Sequence, residues 1–389
     1  MEDCMQKEIV KQLDGYTDIA KEIDAATKYG SEPAARKGDV TECINRLHPA
    51  RILLKISRII AETPSTSTLR LVSANGHLPP FQAGQYITLF LNIGSIRTSR
   101  PYSISSSPGQ TSYWDITIRR VEKGLVSGYL LDEVARGDIL ESSGPQGNFY
   151  FNPIMHAKTM VCLAGGSGIT PFMSMLREIT DGGLDRTVYL FYGNKTMDDI
   201  IFHAEIKQMA QQFPNIHYVP VIEDNLDDNT CETGFITTGV IGKILERVDD
   251  KSFFICGPQA MYDFCLPDLE KMGVPKTKIR REMFGAPLNI CKHPGWPPGV
   301  KPDDFFDVRV KDKGTFKARA DESLLVALEK NSIGLPSLCR SGECSMCRVK
   351  ILSGHVFQAP GALVRKSDRQ FGYVHACVSY PIDNLTLLL

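Results

Sequence analysis

Four cysteines near the end of this 389-residue chain, Cys339, Cys344, Cys347 and Cys377, follow the pattern C-x4-C-x2-C-x29-C. That is the plant-type spacing for a [2Fe-2S] cluster, in which thiolates hold two irons and the protein carries single electrons. The run Leu338 to Cys347 can bring three thiolates round such a cluster only as a compact loop with its amides turned inward. Gly342 and the small Ser341 and Ser345 permit that turn. A structural zinc site normally uses two C-x2-C knuckles, whereas here the first pair is spaced by four and the fourth cysteine stands alone.

A second run with chemistry in it is Gly165-Gly166-Ser167-Gly168-Ile169-Thr170-Pro171. It separates the apolar strand pattern of 159–164 from the helical pattern of 171–180, a place where backbone amides and the helix dipole can hold a phosphate. Taken alone, a plain tight turn looks the same. Pro171 replaces the last glycine of the dinucleotide fingerprint and suits the first helical position, where a missing N–H costs nothing.

These runs need elements to position them, and a chain of this length makes two to four domains. Residues 51–61, 69–74, 85–93, 113–121 and 139–142 read as short strands between turns, which predicts a small antiparallel barrel. From 159 to 256 strands and helices alternate, which predicts an open parallel sheet. The proline-rich stretch 287–303 reads as a linker to the cluster module. The expected organisation is a helical extension over 1–47, the barrel over 48–153, the nucleotide domain over 154–286, that linker, and an α+β ferredoxin-like domain over 304–389. In the extension Ile9, Leu13, Tyr16, Ala20 and Ile23 recur like one face of a helix that Gly15 weakens. Such a stripe fits packing on the body of the same protein or docking a partner.

Composition is ordinary: 42% hydrophobic, 23% charged, net charge −1, with nothing that points to nucleic acid or a membrane surface. The start lacks a signal-peptide pattern and no apolar run reaches a membrane span, so a cytoplasmic protein is expected. Eleven cysteines in such a chain favour thiols and metal ligation over disulfides.

Read in order, Arg100-Pro101-Tyr102-Ser103, Gly124-Leu125-Val126-Ser127, the glycine turn and Cys256-Gly257-Pro258 resemble the ferredoxin-NADP reductase superfamily from about 48 to 284. With the cluster module the chain is similar to the three-domain reductases of hybrid-cluster proteins and of multicomponent oxygenases. The resemblance implies a barrel for flavin, a parallel sheet for nicotinamide nucleotide and a β-grasp domain for the cluster. It implies that Tyr102 lies flat on the flavin, that Ser103 is the hydroxyl nearest flavin N5, and that Arg100 neutralises the cofactor phosphate. Ser127 with the amides of Leu125 and Val126 would bind its other side, with Pro101, Arg119 and Gly124 among the contacts.

For the nucleotide, the resemblance implies Gly165, Gly166, Gly168 and Thr170 at the pyrophosphate, and Cys256, Gly257 and Pro258 beside the nicotinamide. Phe284 would cover the flavin until nicotinamide displaces it, and Glu282 would tune or protonate the flavin. Members like phthalate dioxygenase reductase take FMN, but Gly144-Pro145-Gln146-Gly147-Asn148-Phe149 and the G-x-x-S run look like FAD-binding members, so FAD is expected. Where NADPH-preferring members commonly carry a Ser-Arg pair, this chain has Glu223-Asp224, which repels a 2'-phosphate, so NADH is expected, with Lys195 as the opposing cation.

The implied activity is a two-to-one electron transformer: hydride from NADH to FAD, then single electrons through the cluster to a protein acceptor. The alternative is an electron-transfer subunit of a larger complex that does not itself oxidise NADH. From 304 to 389 there are 12 Lys and Arg against 9 Asp and Glu. Arg340, Arg348, Arg365, Lys366 and Arg369 cluster near the ligands, which suggests a surface for an acidic docking face on the acceptor.

Overall fold

Ile52, Leu54 and Ile56 alternate with exposed Leu53 and Lys55, and that period of two buries one face of the first long strand. The computed structural model describes residues 15–29, 37–223, 231–287 and 289–389, in two units, Met1–Pro49 and Ala50–Leu389. In the first unit, helices span Tyr16–Tyr29 and Lys37–Leu47. Gly15, at φ +84°, precedes the first helix and does not interrupt it. Ile9 and Leu13 lie outside the described residues, while Ile19 and Ile23 are exposed on a helix with no buried side chain.

The second unit begins with an antiparallel barrel of β1 (Ile52–Thr63), β2 (Thr66–Ser73), β3 (Tyr86–Ile93), β4 (Ile96–Ser103), β5 (Trp114–Arg119) and β6 (Ile139–Ser142), ordered β4-β3-β6-β1-β2-β5. An Ile104–Ile116 bridge joins the end of β4 to β5 across the closing edge. Leu54, Ile56, Leu69, Leu71, Ile87, Leu89 and Trp114 fill the interior. Helix Leu125–Asp132 follows Gly124 and opens the G-x-x-S run. Strand β4 carries the R-x-Y-S run and has no apolar alternation to announce it.

A parallel sheet comes next: β7 (Thr159–Gly165), β8 (Thr187–Asn194), β9 (Ile216–Ile222), β10 (Glu232–Thr233), β11 (Ser252–Cys256) and β12 (Ile279–Glu282), ordered β10-β9-β8-β7-β11-β12. It is covered by helices that include Ile169–Gly182, His203–Gln212, Thr238–Ile244 and Gln259–Lys271. Helix Ile169–Gly182 starts two residues before Pro171, which therefore sits in the first turn but not at its first position. The first-turn N–H groups have no intrahelical partner, so proline is accommodated there as well.

The C-terminal sheet contains β13 (Phe305–Val310), β14 (Gly314–Arg319), β15 (Arg348–Ser353), β17 (Tyr373–His375) and β19 (Leu385–Leu388), in the order β14-β13-β19-β15-β17. A ribbon of β16 (Val356–Gln358) and β18 (Ser379–Pro381) lies beside it, and helix Leu324–Lys330 packs into its core. The expected linker is part of that core. Ile290 is buried in it, Cys291 and Trp296 pack against it, and the Trp296 indole meets Phe357 edge-on at 5.1 Å. Proline and glycine signalled an irregular backbone there, but the apolar side chains between them bury like any others.

Ser99 Oγ lies 2.8 Å from Ser337 Oγ, and Thr88 Oγ1 donates to Leu338 O at 3.4 Å. Ser332 Oγ adds a bond to Ser95 O at 3.4 Å. These hydroxyl contacts seat the segment before Cys339 on strands β3 and β4.

Candidate functional site

The end of β4 and the start of helix Leu125–Asp132 open onto a cavity of about 390 Å³, within the size range of small-molecule sites. Arg100, Pro101, Tyr102, Ser103, Arg119, Gly124, Leu125, Val126, Ser127 and Thr170 all line it. The sequence separates these residues by up to 70 positions, and the barrel edge brings them together. No side chain caps the helix, so its first amides are available to an anion. Ser127 Oγ is already engaged, receiving the Val121 N–H at 3.1 Å and donating to Gly124 O at 3.4 Å. It fastens the turn, which leaves the amides to meet a ligand.

Burial, reinforced by the charge of Arg340, lowers the Arg100 pKa to about 10. One guanidinium nitrogen is tied to Thr98 Oγ1 and Ser99 O, both at 2.7 Å. A phosphate in the cavity would relieve this buried cation. Ser103 Oγ is buried on the cavity wall with only the Glu282 carboxyl beside it, a polar atom that fits a cofactor.

The second cavity, about 410 Å³, opens over the carboxyl ends of the parallel strands, where open sheets bind ligands. Gly165, Gly166, Gly168, Glu223, Gly257 and Pro258 line it. Arg119, Ser167 and Phe284 line both cavities, so the two meet at Phe284. The glycine turn permits close contact: a Cβ on Gly168 would stand 2.1 Å from Cys256 O, and one on Gly165 would stand 2.8 Å from Pro258 Cδ. Asn194 lines this cavity with its side-chain amide buried near the Tyr192 hydroxyl and with hydrogen-bonding capacity to spare, which fits a polar ligand.

Cys256 does not line either cavity. Its side chain is fully buried in the core with Phe172 and Phe254, and burial pushes its thiol well above the usual range. Of the C-G-P run, Gly257 and Pro258 face the nucleotide cavity. Glu282 pairs with Cys256 in the sheet and is buried beside Ser103, with its Oε2 unpartnered. Its carboxyl is pushed well above the usual range, first by burial and then by Glu343. Asp224 lies outside the described residues. Sequence reasoning missed Asn194 and the edge-on pair Phe235 and Phe264, whose rings stand 5.7 Å apart on the cavity wall. Phe235, exposed beside a glycine after a two-residue strand, carried no periodic signal.

Glu282 makes stability depend on pH. Its carboxyl ionises higher in the folded chain than its ordinary value of 4.5, so its contribution is complete below that value and is lost as pH rises toward the folded value. Glu282→Gln should therefore stabilise the protein increasingly with pH, by at most about 1.4 kcal/mol per pH unit. Thermal melts of both proteins from pH 5 to 8 check this, and a pH-independent difference would contradict it.

In the cluster loop, Arg340, Gly342 and Ser345 all have positive φ, at 55°, 82° and 60°. The amides of Glu343 and Cys344 point at Cys339 Sγ at 3.4 and 3.3 Å. Hydrogen bonding pairs the side chains of Cys339 with Cys344 and of Cys347 with Cys377, and Cys344 is the main reason the Cys339 thiol is held low. Among the described residues no three Cys, His, Asp or Glu side chains converge on a single-ion site. Two thiol pairs suit one pair per iron of a two-iron cluster better than one tetrahedral ion. Arg340 is buried and forked onto Glu329 at 2.6 and 2.9 Å, so it is not part of an exposed basic face. Arg348 pairs with Asp368 at 3.0 Å.

Three family models match: an oxidoreductase FAD-binding domain over 53–151, an oxidoreductase NAD-binding domain over 162–266 and a 2Fe-2S iron-sulfur cluster binding domain over 308–381. The chain is 29% identical to the NADH oxidoreductase HCR of Escherichia coli over 86% of this chain and 96% of that protein. It is 27% identical to the glycine betaine monooxygenase reductase subunit of Chromohalobacter salexigens over 85% and 93%. The solved structure of phthalate dioxygenase reductase, described as modular for electron transfer from pyridine nucleotides to [2Fe-2S], superposes with a TM-score of 0.65 at 26% identity, covering 87% of this chain and 98% of that one. Among the described residues no helix is long and apolar enough to cross a membrane. With a flavin barrel, a nicotinamide-nucleotide sheet and a [2Fe-2S] module in one chain, the protein belongs to the three-domain flavin and iron–sulfur reductases of the ferredoxin-NADP reductase superfamily.

Proposed function

We propose that this chain oxidises NADH at a bound FAD and passes the electrons singly through its [2Fe-2S] cluster to a protein acceptor, a redox enzyme of the oxygenase type. The observation that carries this reading is the meeting of the two cavities at Phe284, with the cluster loop seated on the strands that form one of them. FAD supplies a group that accepts two electrons together and releases them one at a time. The chain supplies position and charge. Arg100 and the amides after Gly124 would hold the cofactor phosphates, the Tyr102 ring would pack against the flavin, and Phe284 would give way to the nicotinamide. Glu282, whose carboxyl burial pushes well above the usual range, is the group beside Ser103 suited to hold a proton. Anaerobic NADH should bleach the flavin of the isolated protein. Failure to do so would favour the alternative, a subunit fed by another protein.

Glu223 stands at the carboxyl end of β9 on the nucleotide cavity wall, where a carboxylate accepts ribose hydroxyls and repels a 2'-phosphate. Lys195 lines the same cavity. NADH should be preferred over NADPH in kcat/KM, and Glu223→Arg should narrow the gap by about tenfold or more. A wild type that already prefers NADPH would mean that Lys195 prevails.

The acceptor meets the cluster module beside the cluster loop, at exposed Met346 and Leu363, with Arg365, Lys366 and Arg369 exposed nearby in the chain. Leu363 N–H bonds Gly342 O at 3.0 Å, and Arg369 reaches Ala362 O at 3.5 Å, so these residues adjoin the cluster loop. An acidic rim round an apolar spot on the acceptor fits this surface. Reversing Arg365 and Lys366 to Glu should slow acceptor reduction about tenfold at low salt and less at physiological salt, with NADH-dependent dye reduction unchanged. An unchanged rate at low salt would reject the surface.

A further inference from the structure

We infer that Tyr86 is a positioning residue for internal electron transfer, the side chain that spans from the flavin cavity to the Cys339–Cys344 end of the cluster. This rests on the reading that flavin and cluster exchange electrons within the chain. Tyr86 is directly opposite Ser103 in the β3–β4 register, so the two side chains share one face of the sheet about 5 Å apart. Ser103 lines the flavin cavity. Two residues along the same face of β3, Thr88 bonds the carbonyl of Leu338, the residue before Cys339.

The Tyr86 ring is held firmly. Its backbone exchanges hydrogen bonds with Gln146 at 2.9 and 2.8 Å, and the ring lies so close to Gly147 that a Cβ there would meet two ring carbons at 2.9 Å. The same point on Gly147 is 3.8 Å from Glu282 Oε1, so the ring and the Glu282 carboxyl flank one glycine. Toward the cluster, Thr88 two residues along the same face holds the carbonyl that precedes Cys339, and the Cys339 and Cys344 thiols are near enough to add to burial in raising the phenol pKa. Tyr86 is buried, at 8% exposed.

In the step proposed, the reduced flavin loses one electron and the oxidised cluster gains one. No bond forms or breaks, and Tyr86 is itself neither oxidised nor reduced; its ring fills a gap that would otherwise lengthen the path. The Cys339–Cys344 pair, which follows Leu338 in the chain, would be the end at which the electron enters. The competing route is the hydrogen bond from Thr88 to Leu338.

The test mixes the FAD- and cluster-loaded protein with NADH without oxygen and follows flavin bleaching and cluster reduction separately, the latter by its electron paramagnetic resonance signal. Tyr86→Leu should leave flavin bleaching within about twofold of wild type and slow cluster reduction about tenfold or more, whereas Tyr86→Phe, which keeps the ring, should stay within about twofold in both. Amide hydrogen exchange over 337–345 should match wild type in both variants. Cluster reduction at the wild-type rate in Tyr86→Leu, or slowing that comes with lost amide protection, would overturn the inference. So would slowing in Thr88→Val alone. Should NADH fail to bleach the wild-type flavin, the functional reading fails instead, and photoreduction of the flavin gives the same Tyr86 comparison without NADH.

Discussion

Replacing Cys344 by serine is expected to abolish electron delivery to one-electron protein acceptors and leave NADH-dependent reduction of two-electron dyes within about twofold of wild type. Cys344 belongs to the thiol pair with Cys339, and its amide bonds that sulfur at 3.3 Å. Serine keeps the backbone and its amide but replaces a soft sulfur ligand with a hard hydroxyl, so the cluster loses a ligand while the loop keeps its path. The hydride site is built from the barrel and the parallel sheet and contains no residue of this loop. Iron content and the two activities, measured on flavin-loaded protein, decide the matter. Equal loss of both would mean that hydride transfer needs the cluster module intact.

The second large effect is expected at Gly168. A methyl group there would have to occupy the space of Cys256 O, 2.1 Å away, and a backbone carbonyl at the end of a central strand cannot turn aside. Gly168→Ala should separate the glycine turn from the C-G-P run, at a cost of about 1–3 kcal/mol in nucleotide binding or in stability. Taken wholly in binding, that corresponds to a KM for NADH raised roughly five- to 150-fold. Gly242→Ala is the control: it lies in helix Thr238–Ile244 with nothing within 4 Å of the new methyl group, and should be neutral or slightly stabilising. A Gly168→Ala protein with wild-type KM and melting temperature would show that the strand end can yield.

Most of the site was legible because its chemistry depends on short runs. Cysteine spacing, R-x-Y-S, G-x-x-S and the glycine turn each sit on one loop or strand end, so order along the chain preserves them. What was lost depends on contacts between distant segments. Strand β4 looked like no strand, because Thr98, Ser99 and Arg100 serve a cavity edge and a domain seam and not a core. Arg340 read as a surface cation, and only the fold reveals Glu329 waiting eleven positions earlier. Cys256 read as a cavity residue because it ends a strand, yet alternation turns its side chain into the core while its carbonyl meets Gly168. Phe235 and Phe264 come together from a loop and a helix 29 residues apart.

The burial of Ile290 and Trp296 has a further consequence. Phe284 lines the cavities and Ile290 is anchored in the next core, so only the five residues 285–289 join them. Fully extended they reach about 18 Å. The cluster module is therefore on a short leash, with no seventeen-residue tether on which to swing. Its effective concentration at the flavin is fixed by geometry, so the internal hop is first-order and indifferent to how dilute the protein becomes. An acceptor, by contrast, must come to the cluster, and its own abundance sets how fast the chain is emptied of electrons.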